Sequence, residues 1–326
     1  MIRDNIPLYV FAFLFTLTLT VFLGKLIIPI LKESAKQPIY TKGPSWHVSK
    51  SGTPTMGGLS FFTAITVTLL LFTLYKFIAG YRNEALSLLI CTVYASFNAF
   101  VGIIDDGTKL KHRKNAGLTA RAKLILQFTL SALFLIARRV IIGEALALFP
   151  FRFISSDIFH FVLSLIILVG ITNCANLTDG IDGLASSVAF TVGIVLFAYS
   201  YGISDNGSFT SLCLAAGALG FLIFNLHPAK IFMGDTGSLF LGALIGALSF
   251  ELGSPWLSTV SGGVYVIEGV SVILQVAFYK MTKKRLFKMA PLHHHLEKSG
   301  WDENKICIAA ILMTLVLSLP IILCTR

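Results

Sequence analysis

The sequence has few charged residues: Asp, Glu, Lys and Arg make up 13% of its 326 residues, whereas 55% are apolar and the mean hydropathy is +0.81. Soluble globular domains carry about 25% charged residues, so this composition excludes that class. The five cysteines stand singly, without a CxxC pair. This spacing excludes the common zinc and redox motifs and favours a packing role. The few acids are the first candidates for functional residues, because an ionisable group at membrane depth usually marks a functional site.

Long apolar runs dominate the rest of the chain, and crossing a bilayer takes about 20 residues. We therefore predict an all-α, polytopic integral membrane protein with about ten transmembrane helices. The first run contains Lys25 and lacks a small-residue cleavage site, so we interpret it as a retained span. The interrupted stretch 140–157 is predicted to lie at the membrane interface. The ten runs are 8–31, 57–75, 85–104, 122–141, 158–175, 184–203, 209–226, 236–252, 257–279 and 304–324.

Basic residues give an orientation. If the N-terminus lies outside, most of the 26 Lys and Arg residues fall in inside loops. The positive-inside rule then places both termini outside the cytoplasm. The net charge of +10 is explained by this distribution, and no nucleic-acid partner is expected. The same topology sends the polar clusters to the cytoplasmic face, so we predict one site built by cytoplasmic loops within a single domain, 1–326. The clusters are 52–58, 105–106, 176–182, 225–235 and 293–295.

Two clusters are rich in carboxylates. Asp105 and Asp106 end the third run, and such a pair could supply a metal ligand or a general base, or could form a solvated acidic and basic loop. Asn176, Asp179 and Asp182 stand three residues apart and share a face if the fifth helix continues through them. Oxygen ligands on one face suit Mg²⁺, and the alternative is helix capping at a turn.

The eighth run begins close to Asp235, where a carboxylate could cap the helix or bind a metal or phosphate. Asn225 lies nearby in sequence and favours a site. Lys50 precedes the glycine-rich stretch 52–58 and Thr55 lies within it; the segment could contact phosphate or form a tight loop entering the membrane. Glu268, inside the ninth run, is interpreted as a buried structural partner.

Three consecutive histidines, His293, His294 and His295, follow a basic stretch. Consecutive helical residues point about 100° apart, so the three cannot all bind one metal. Hydrogen bonding to a diphosphate or a uracil-type ligand is a better use, and the alternative is a surface cluster without a role.

Taken together, these motifs resemble the polyprenyl-phosphate N-acetylhexosamine-1-phosphate transferases. The resemblance covers essentially the whole chain, with the motifs in family order. PLHHHLE is typical of the muramoyl-pentapeptide branch rather than of relatives that use UDP-N-acetylglucosamine. The motifs are GTPTMGG at 52–58, the acid pair at 105–106, NLTDGIDGLA at 176–185, FNLHPAKIFMGDTGSL at 224–239 and PLHHHLE at 291–297.

The resemblance implies transfer of phospho-MurNAc-pentapeptide from UDP-MurNAc-pentapeptide to undecaprenyl phosphate in the bacterial cytoplasmic membrane. Lipid I and UMP would be the products, Mg²⁺ the cofactor and a homodimer the assembly. It implies that Asp235 is the Mg²⁺ ligand and that Asp105 and Asp106 are catalytic with it. The substrate-binding residues would be Lys50, Thr55, Lys109, Arg121, Lys123, Asn176, Asp179, Asp182, Asn225, His293, His294 and His295. Family members often carry a lysine where this chain has Arg121, so either Arg121 or Lys123 would meet phosphate.

Three rival functions are weighed. A sister transferase would pass GlcNAc-1-phosphate to the same lipid. An intramembrane prenyltransferase or alcohol phosphotransferase also gathers aspartates and Mg²⁺ on one face, but would be expected to pair longer Asp-rich motifs and lacks the histidine triplet. An ion-coupled transporter would place its acids near mid-membrane and often shows inverted repeats, and we find no convincing internal repeat.

Overall fold

The computed structural model describes residues 6–34, 50, 52–112, 117–143, 154 and 156–323. Within these ranges the regular structure is helical. A π-helical turn, Arg138–Ile142, extends the fourth helix. The twelve α-helices are α1 Ile6–Ser34, α2 Gly58–Ile78, α3 Arg82–His112, α4 Ala120–Ala137, α5 Asp157–Thr178, α6 Leu184–Ser200, α7 Asp205–Asn225, α8 Gly234–Glu251, α9 Trp256–Ser261, α10 Gly263–Thr282, α11 Leu292–Glu297 and α12 Glu303–Leu323.

Nine of the ten predicted apolar runs each coincide with one helix of the described residues, which confirms an all-α membrane protein. Eight helices are long and apolar enough to cross a membrane: α1, α2, α3, α4 with its π turn, α5, α7, α10 and α12. Helix α6 is shorter, with 17 residues, and α8 carries an acid near each end. The ninth predicted run is wrong as one helix, because the backbone turns at Gly262 between α9 and α10.

Part of the predicted interfacial stretch, 144–153, lies outside the described residues. So do several residues used above for orientation and packing, among them Lys36, Lys42, Lys114 and Cys324. The membrane sidedness of the termini stays a prediction.

Helices α7 and α8 form the centre of the bundle. Every residue of α8 from Thr236 to Phe250 is buried, and the sequence there is rich in Gly, Ala and Ser. Small residues let neighbouring backbones approach, which is how membrane helices pack without a hydrophobic driving force between them. A Cβ at Gly242 would lie 2.6 Å from the Cα of Thr172 on α5. The outer helices α1, α4, α10 and α12 expose large apolar side chains, as expected of surfaces that face lipid.

The helices alternate in direction, so their ends form two polar layers. The starts of α2, α4, α6, α8 and α12 meet the ends of α3, α5, α7 and α10 at one layer, called here the site end. The start of α1 lies at the opposite layer, where Tyr9 Oη donates to Asp205 Oδ1 at 2.7 Å. Both described chain ends therefore lie at this opposite layer, called the far end.

Candidate active site

The N-terminus of α8 is capped by a residue from another helix. Met233 precedes α8 and provides no side-chain cap. Instead Asp106, at the end of α3, accepts the backbone N–H of Asp235 at 3.1 Å and that of Thr236 at 2.9 Å, as well as the Thr236 hydroxyl at 2.8 Å. The first N–H groups of a helix lack partners within it, and a carboxylate there also complements the helix dipole. Asp106 thus fixes the start of α8, and Asp235 is free of the capping role.

The approach of α3 to α8 depends on glycine at position 234. Gly234 has a φ of +73°, a backbone conformation that residues other than glycine rarely adopt. A Cβ there would also lie 2.6 Å from Asp106 Oδ2 and 3.0 Å from the Thr55 hydroxyl. The GDTGS sequence therefore builds a close contact between two acid-bearing helices.

Two lysines bridge the carboxylates of Asp105 and Asp235. Lys109 Nζ lies 2.7 Å from Asp105 Oδ2 and 3.2 Å from Asp235 Oδ1, and Lys123 Nζ lies 3.2 Å from Asp105 Oδ2 and also contacts Asp235. Asp105 Oδ1 accepts the backbone N–H of Leu118 at 2.7 Å. We call Asp105, Asp106, Asp235, Lys109 and Lys123 the acid cluster.

Asn176, on the last turn of α5, orients Asp235. Its amide nitrogen donates to Asp235 Oδ1 at 3.1 Å and to the Ser238 hydroxyl at 2.7 Å. The predicted shared face for Asn176, Asp179 and Asp182 is wrong, because α5 ends at Thr178. The turn that follows separates Asp182 from Asn176, so the triplet serves different clusters.

The acid cluster suits a divalent cation. Asp105, Asp106 and Asp235 each offer an oxygen, and these oxygens lie within 4.8 Å of one another. Asp106 Oδ1 lies 3.7 Å from Lys109 Nζ, but both Asp106 oxygens accept hydrogen bonds from the start of α8. Asp105 and Asp235 therefore make the shorter contacts to the lysine ammonium groups. Mg²⁺ is usually bound through one or two carboxylates together with substrate phosphates. The donor set therefore fits a metal ion that would share the carboxylates with the lysines.

Asp179 lies just after α5, in the turn beside these acids. Burial raises the pKa of Asp179 well above its usual range, and the charges of Asp235, Asp106 and Asp182 add to the shift. Like charges disfavour ionisation of a further carboxylate, so this side chain retains its proton to higher pH than an exposed aspartate. Asp179 is thus suited to donating a hydrogen bond.

A second polar cluster, called here the lysine-50 cluster, contains Lys50, Asp182, His227 and Glu303. Lys50 Nζ lies 2.7 Å from both Asp182 Oδ1 and Glu303 Oε2. His227 Nδ1 lies 3.0 Å from Asp182 Oδ2 and 3.3 Å from Glu303 Oε1. Asp182, His227 and Glu303 also have a spacing that could hold a metal ion. The ammonium of Lys50 already bonds both carboxylates, so it offsets one of their two negative charges.

The glycine-rich segment 52–58 packs against the start of α8. Gly57 and Gly58 donate backbone hydrogen bonds to Phe232 O and Met233 O at 2.8 and 2.9 Å. A Cβ on Gly58 would overlap the backbone of Gly237. These contacts agree with the tight-loop alternative for the glycines, while Thr55 lies buried next to Gly234.

The three histidines have three different sets of neighbours. His293 is fully buried; its backbone N–H donates to the carboxylate of Glu268 at 3.1 Å, and its Nε2 faces Gly180. His294 Nδ1 lies 2.6 Å from Glu297, and His295 Nδ1 accepts the backbone N–H of Lys288 at 3.1 Å. His293 is therefore the member beside the turn of Asp179 and Asp182. Glu268 is a buried partner within an unbroken α10, as predicted.

Two further predicted residues differ in surroundings. Asn225 is buried, and its amide accepts the N–H of Gly183 at 3.2 Å and donates to Ile231 O at 3.0 Å, so it ties two loops together. Arg121 is exposed, whereas Lys123 reaches Asp235.

Glu303 and His227 were not among the predicted site residues. Glu303 immediately precedes the last apolar run, 304–324, and an acid at that boundary was the available signal.

Comparison with known proteins identifies the family of the chain. The family described as Glycosyl transferase family 4 matches residues 86–253, which contain Asp105, Asn176 and Asp235. The phospho-N-acetylmuramoyl-pentapeptide-transferase signature 1 matches residues 50–62, which contain Lys50 and the glycine-rich segment.

Relatives named phospho-N-acetylmuramoyl-pentapeptide-transferase align over nearly the full length. One from Carboxydothermus hydrogenoformans is 39% identical over 91% of this chain and 92% of its own length. One from Clostridium botulinum (strain Alaska E43 / Type E3) is 41% identical over 95% of this chain and 94% of its own length. One from Caldicellulosiruptor bescii is 40% identical over 97% of this chain and 96% of its own length. With this similarity spanning both clusters, the chain belongs to the phospho-N-acetylmuramoyl-pentapeptide-transferase family, within glycosyl transferase family 4.

Proposed function

We propose that this protein transfers phospho-MurNAc-pentapeptide from UDP-MurNAc-pentapeptide to undecaprenyl phosphate, giving lipid I and UMP in peptidoglycan synthesis. The observation that carries the proposal is the acid cluster, in which three carboxylates and two lysines from distant chain segments meet at one end of a membrane bundle. The chain acts as a single transferase domain in the bacterial cytoplasmic membrane, with the site end facing the cytoplasm and both termini outside.

The charges of the cluster suit phosphoryl transfer. An oxygen of the lipid phosphate forms a bond to the sugar-linked phosphorus of the nucleotide, and the bond from that phosphorus to the UMP oxygen breaks. This chemistry depends on positioning and on neutralising charge more than on covalent help. Lys109 and Lys123 are the cations beside Asp235, so they are the residues that would meet phosphate oxygens.

Mg²⁺ is proposed as the metal, held by Asp235 with Asp105 beside it. When bound, it would supply positive charge to the phosphate groups. Asp106 keeps the start of α8 in register with α3 through its hydrogen bonds to Asp235 and Thr236. Asn176 orients the Asp235 carboxylate by donating a hydrogen bond to its Oδ1.

Asp105 is proposed as the base that takes the proton of the lipid phosphate before direct attack. Its Oδ2 faces both lysines, whereas both oxygens of Asp106 accept hydrogen bonds from α8. In the competing route, Asp105 attacks the nucleotide first and forms an aspartyl phosphate. Incubation with UDP-substrate labelled in the sugar-linked phosphate, without lipid, separates the routes: label retained on the protein after denaturation would exclude direct transfer.

The remaining polar side chains are proposed to bind substrate around this centre. Lys50, Asp182 and Asn225 lie at or next to one turn, and His293 lies beside Gly180 in the same turn. Asp179, with its raised pKa, would donate a hydrogen bond to a substrate oxygen.

The deciding experiment measures UMP release by the purified protein in lipid with undecaprenyl phosphate and Mg²⁺. UMP is expected from UDP-MurNAc-pentapeptide and not from UDP-GlcNAc. Release from UDP-GlcNAc alone would assign the protein to the sister transferases. Omission of Mg²⁺ with a chelator present should abolish release, and re-addition should restore it.

A homodimer is proposed from the family resemblance. Light scattering of the purified protein in detergent, corrected for bound detergent, gives the protein mass. A mass near twice 35.5 kDa is expected, and a monomer that retains full activity would contradict the proposal.

A further inference from the structure

Glu303 occupies an unusual position at the start of α12. Its side chain is buried, and one oxygen, Oε2, accepts two hydrogen bonds of 2.7 Å. One donor is the ammonium of Lys50 and the other is the backbone N–H of Asp182. These two residues are 253 and 121 positions away in sequence. A single carboxylate oxygen therefore joins three distant segments of the chain.

Helix α12 holds Asp182 at both of its backbone polar groups. Glu303 accepts its N–H, and Cys307, one helical turn further on, donates from Sγ to its carbonyl oxygen at 3.3 Å. The side chain of Asp182 is thereby left to bond Lys50, His227 and the backbone N–H of Ala229. These two hydrogen bonds to the backbone of Asp182 therefore set the direction of its carboxylate.

Glu303 also limits what Lys50 can bind. An ammonium has three N–H donors, and two of those of Lys50 are taken by Asp182 and Glu303. Two carboxylates around one ammonium give this site a net negative charge, so a phosphate is a poor ligand for Lys50. The remaining donor suits a neutral acceptor, such as a carbonyl or hydroxyl oxygen.

The cluster is reachable from water. A pocket of about 230 Å³ lies next to it, lined by His227, Glu297, Lys298, Trp301, Asp302 and Glu303. A water-soluble substrate could therefore approach this side of the site without entering from lipid.

We propose that Glu303 is a positioning residue for the nucleotide-sugar substrate, which it affects by holding Lys50 and the backbone of Asp182. This inference rests on the proposed function. Glu303 acts on substrate binding rather than on the transfer step, because its contacts are to the lysine-50 cluster and not to Lys109 or Lys123.

The test compares Glu303→Gln with the wild-type protein in the UMP-release assay. Gln has the same shape and keeps an oxygen acceptor, but it removes the charge that pairs with Lys50. The KM for UDP-MurNAc-pentapeptide should rise about tenfold, the size expected when the acceptor of a charge-assisted hydrogen bond becomes neutral. The kcat and the KM for undecaprenyl phosphate should stay within about twofold, since binding alone is weakened.

A double-mutant cycle identifies the route of the effect. If Glu303 works through Lys50, then Glu303→Gln should raise the KM much less in a Lys50→Met background than in the wild type. Glu303→Asp keeps the charge but shortens the side chain. Its KM for the nucleotide substrate should lie between those of the wild type and Glu303→Gln. Equal effects of Glu303→Gln in both backgrounds would overturn the route through Lys50.

Glu251→Gln is the matched control, because Glu251 is also a carboxylate paired with a buried cation, Arg138, but at the far end. It should lower thermal stability and leave both KM values unchanged. An unchanged nucleotide KM in Glu303→Gln, or an equal rise in both KM values with reduced stability, would overturn the inference. Absence of UMP release by the wild-type protein would instead overturn the proposed function.

Discussion

The two ends of the bundle both bury charged residues but arrange them differently. At the far end Arg138 pairs with Glu251 at 3.0 Å and Lys76 pairs with Glu84 at 2.5 Å. Neutral groups complete the bonding, as when Asn206 donates to Glu251 Oε1 at 2.9 Å. These pairs connect α2, α3, α4, α7 and α8. Lys76 Nζ also lies 3.5 Å from Asp205 Oδ2. The far end therefore uses ion pairs as links between helices.

At the site end the carboxylates face one another. Three acids share two lysines in the acid cluster, and two acids share Lys50 in the other cluster. Crowded like charges are unfavourable for the folded state on their own. Such crowding is instead expected where a metal ion and phosphates bind. The crowding of carboxylates against one another, rather than their burial, therefore distinguishes the functional network from the structural one.

The largest expected effect on the transfer rate is that of Asp235→Asn. The change removes a carboxylate that contacts both lysines while keeping the shape of the side chain. The transfer rate should fall about 10²–10³-fold, as when a preorganised charge-stabilising group is lost. UMP release measures the effect, with thermal unfolding as the folding control. A rate within about threefold of wild type would remove Asp235 from the active centre.

The next largest effect distinguishes the two basic residues of α4. Lys123→Met should lower the transfer rate about 100-fold, because Lys123 bridges Asp105 and Asp235. Arg121→Met should change it less than about threefold, since Arg121 is exposed. Both variants remove one positive charge, so each is a control for the other. The reverse order would make Arg121 the phosphate-binding residue.

A smaller effect is expected from Gly180→Ala. The added methyl group would overlap Nε2 of the buried His293 and displace that ring. Small displacements of a positioned group reduce catalysis, and we expect about a tenfold fall in rate. Gly170→Ala is the matched control on α5, because a Cβ there meets no atom within 4 Å. Equal rates for the two variants would show that His293 has no role near Gly180.

The smallest effect on transfer should come from Glu251→Gln, which removes the carboxylate charge that lies 3.0 Å from the buried Arg138 guanidinium. Removing one partner of a buried pair typically lowers stability by about 3–5 kcal/mol. Rate per folded molecule should stay within about twofold of wild type. Thermal unfolding in detergent and UMP release on the same preparation measure the two quantities. Lost activity without lost stability would contradict the separation between the two ends.

Several features could be predicted because they follow from local composition. The helices followed from the apolar runs, and the acid pair at 105–106 followed from the rarity of acids in such a chain. The shared face of Asn176, Asp179 and Asp182 was conditional on α5 continuing through them, and α5 ends at Thr178. Spacing alone does not show where a helix ends. Glu303 was missed since its importance comes from contacts to residues 50 and 182, which no local pattern reveals.

The sequence by itself determined that this is a helical membrane protein, and its ordered motifs indicated the family and the acids to examine. Hydropathy and residue spacing are local properties, so they can be determined from the sequence alone. Only the tertiary structure decided that Asp106 caps α8, that Lys123 rather than Arg121 reaches Asp235, and that Glu303 holds Lys50. Those roles depend on distances of a few ångströms between helices far apart in the chain, which are set by how the whole bundle packs.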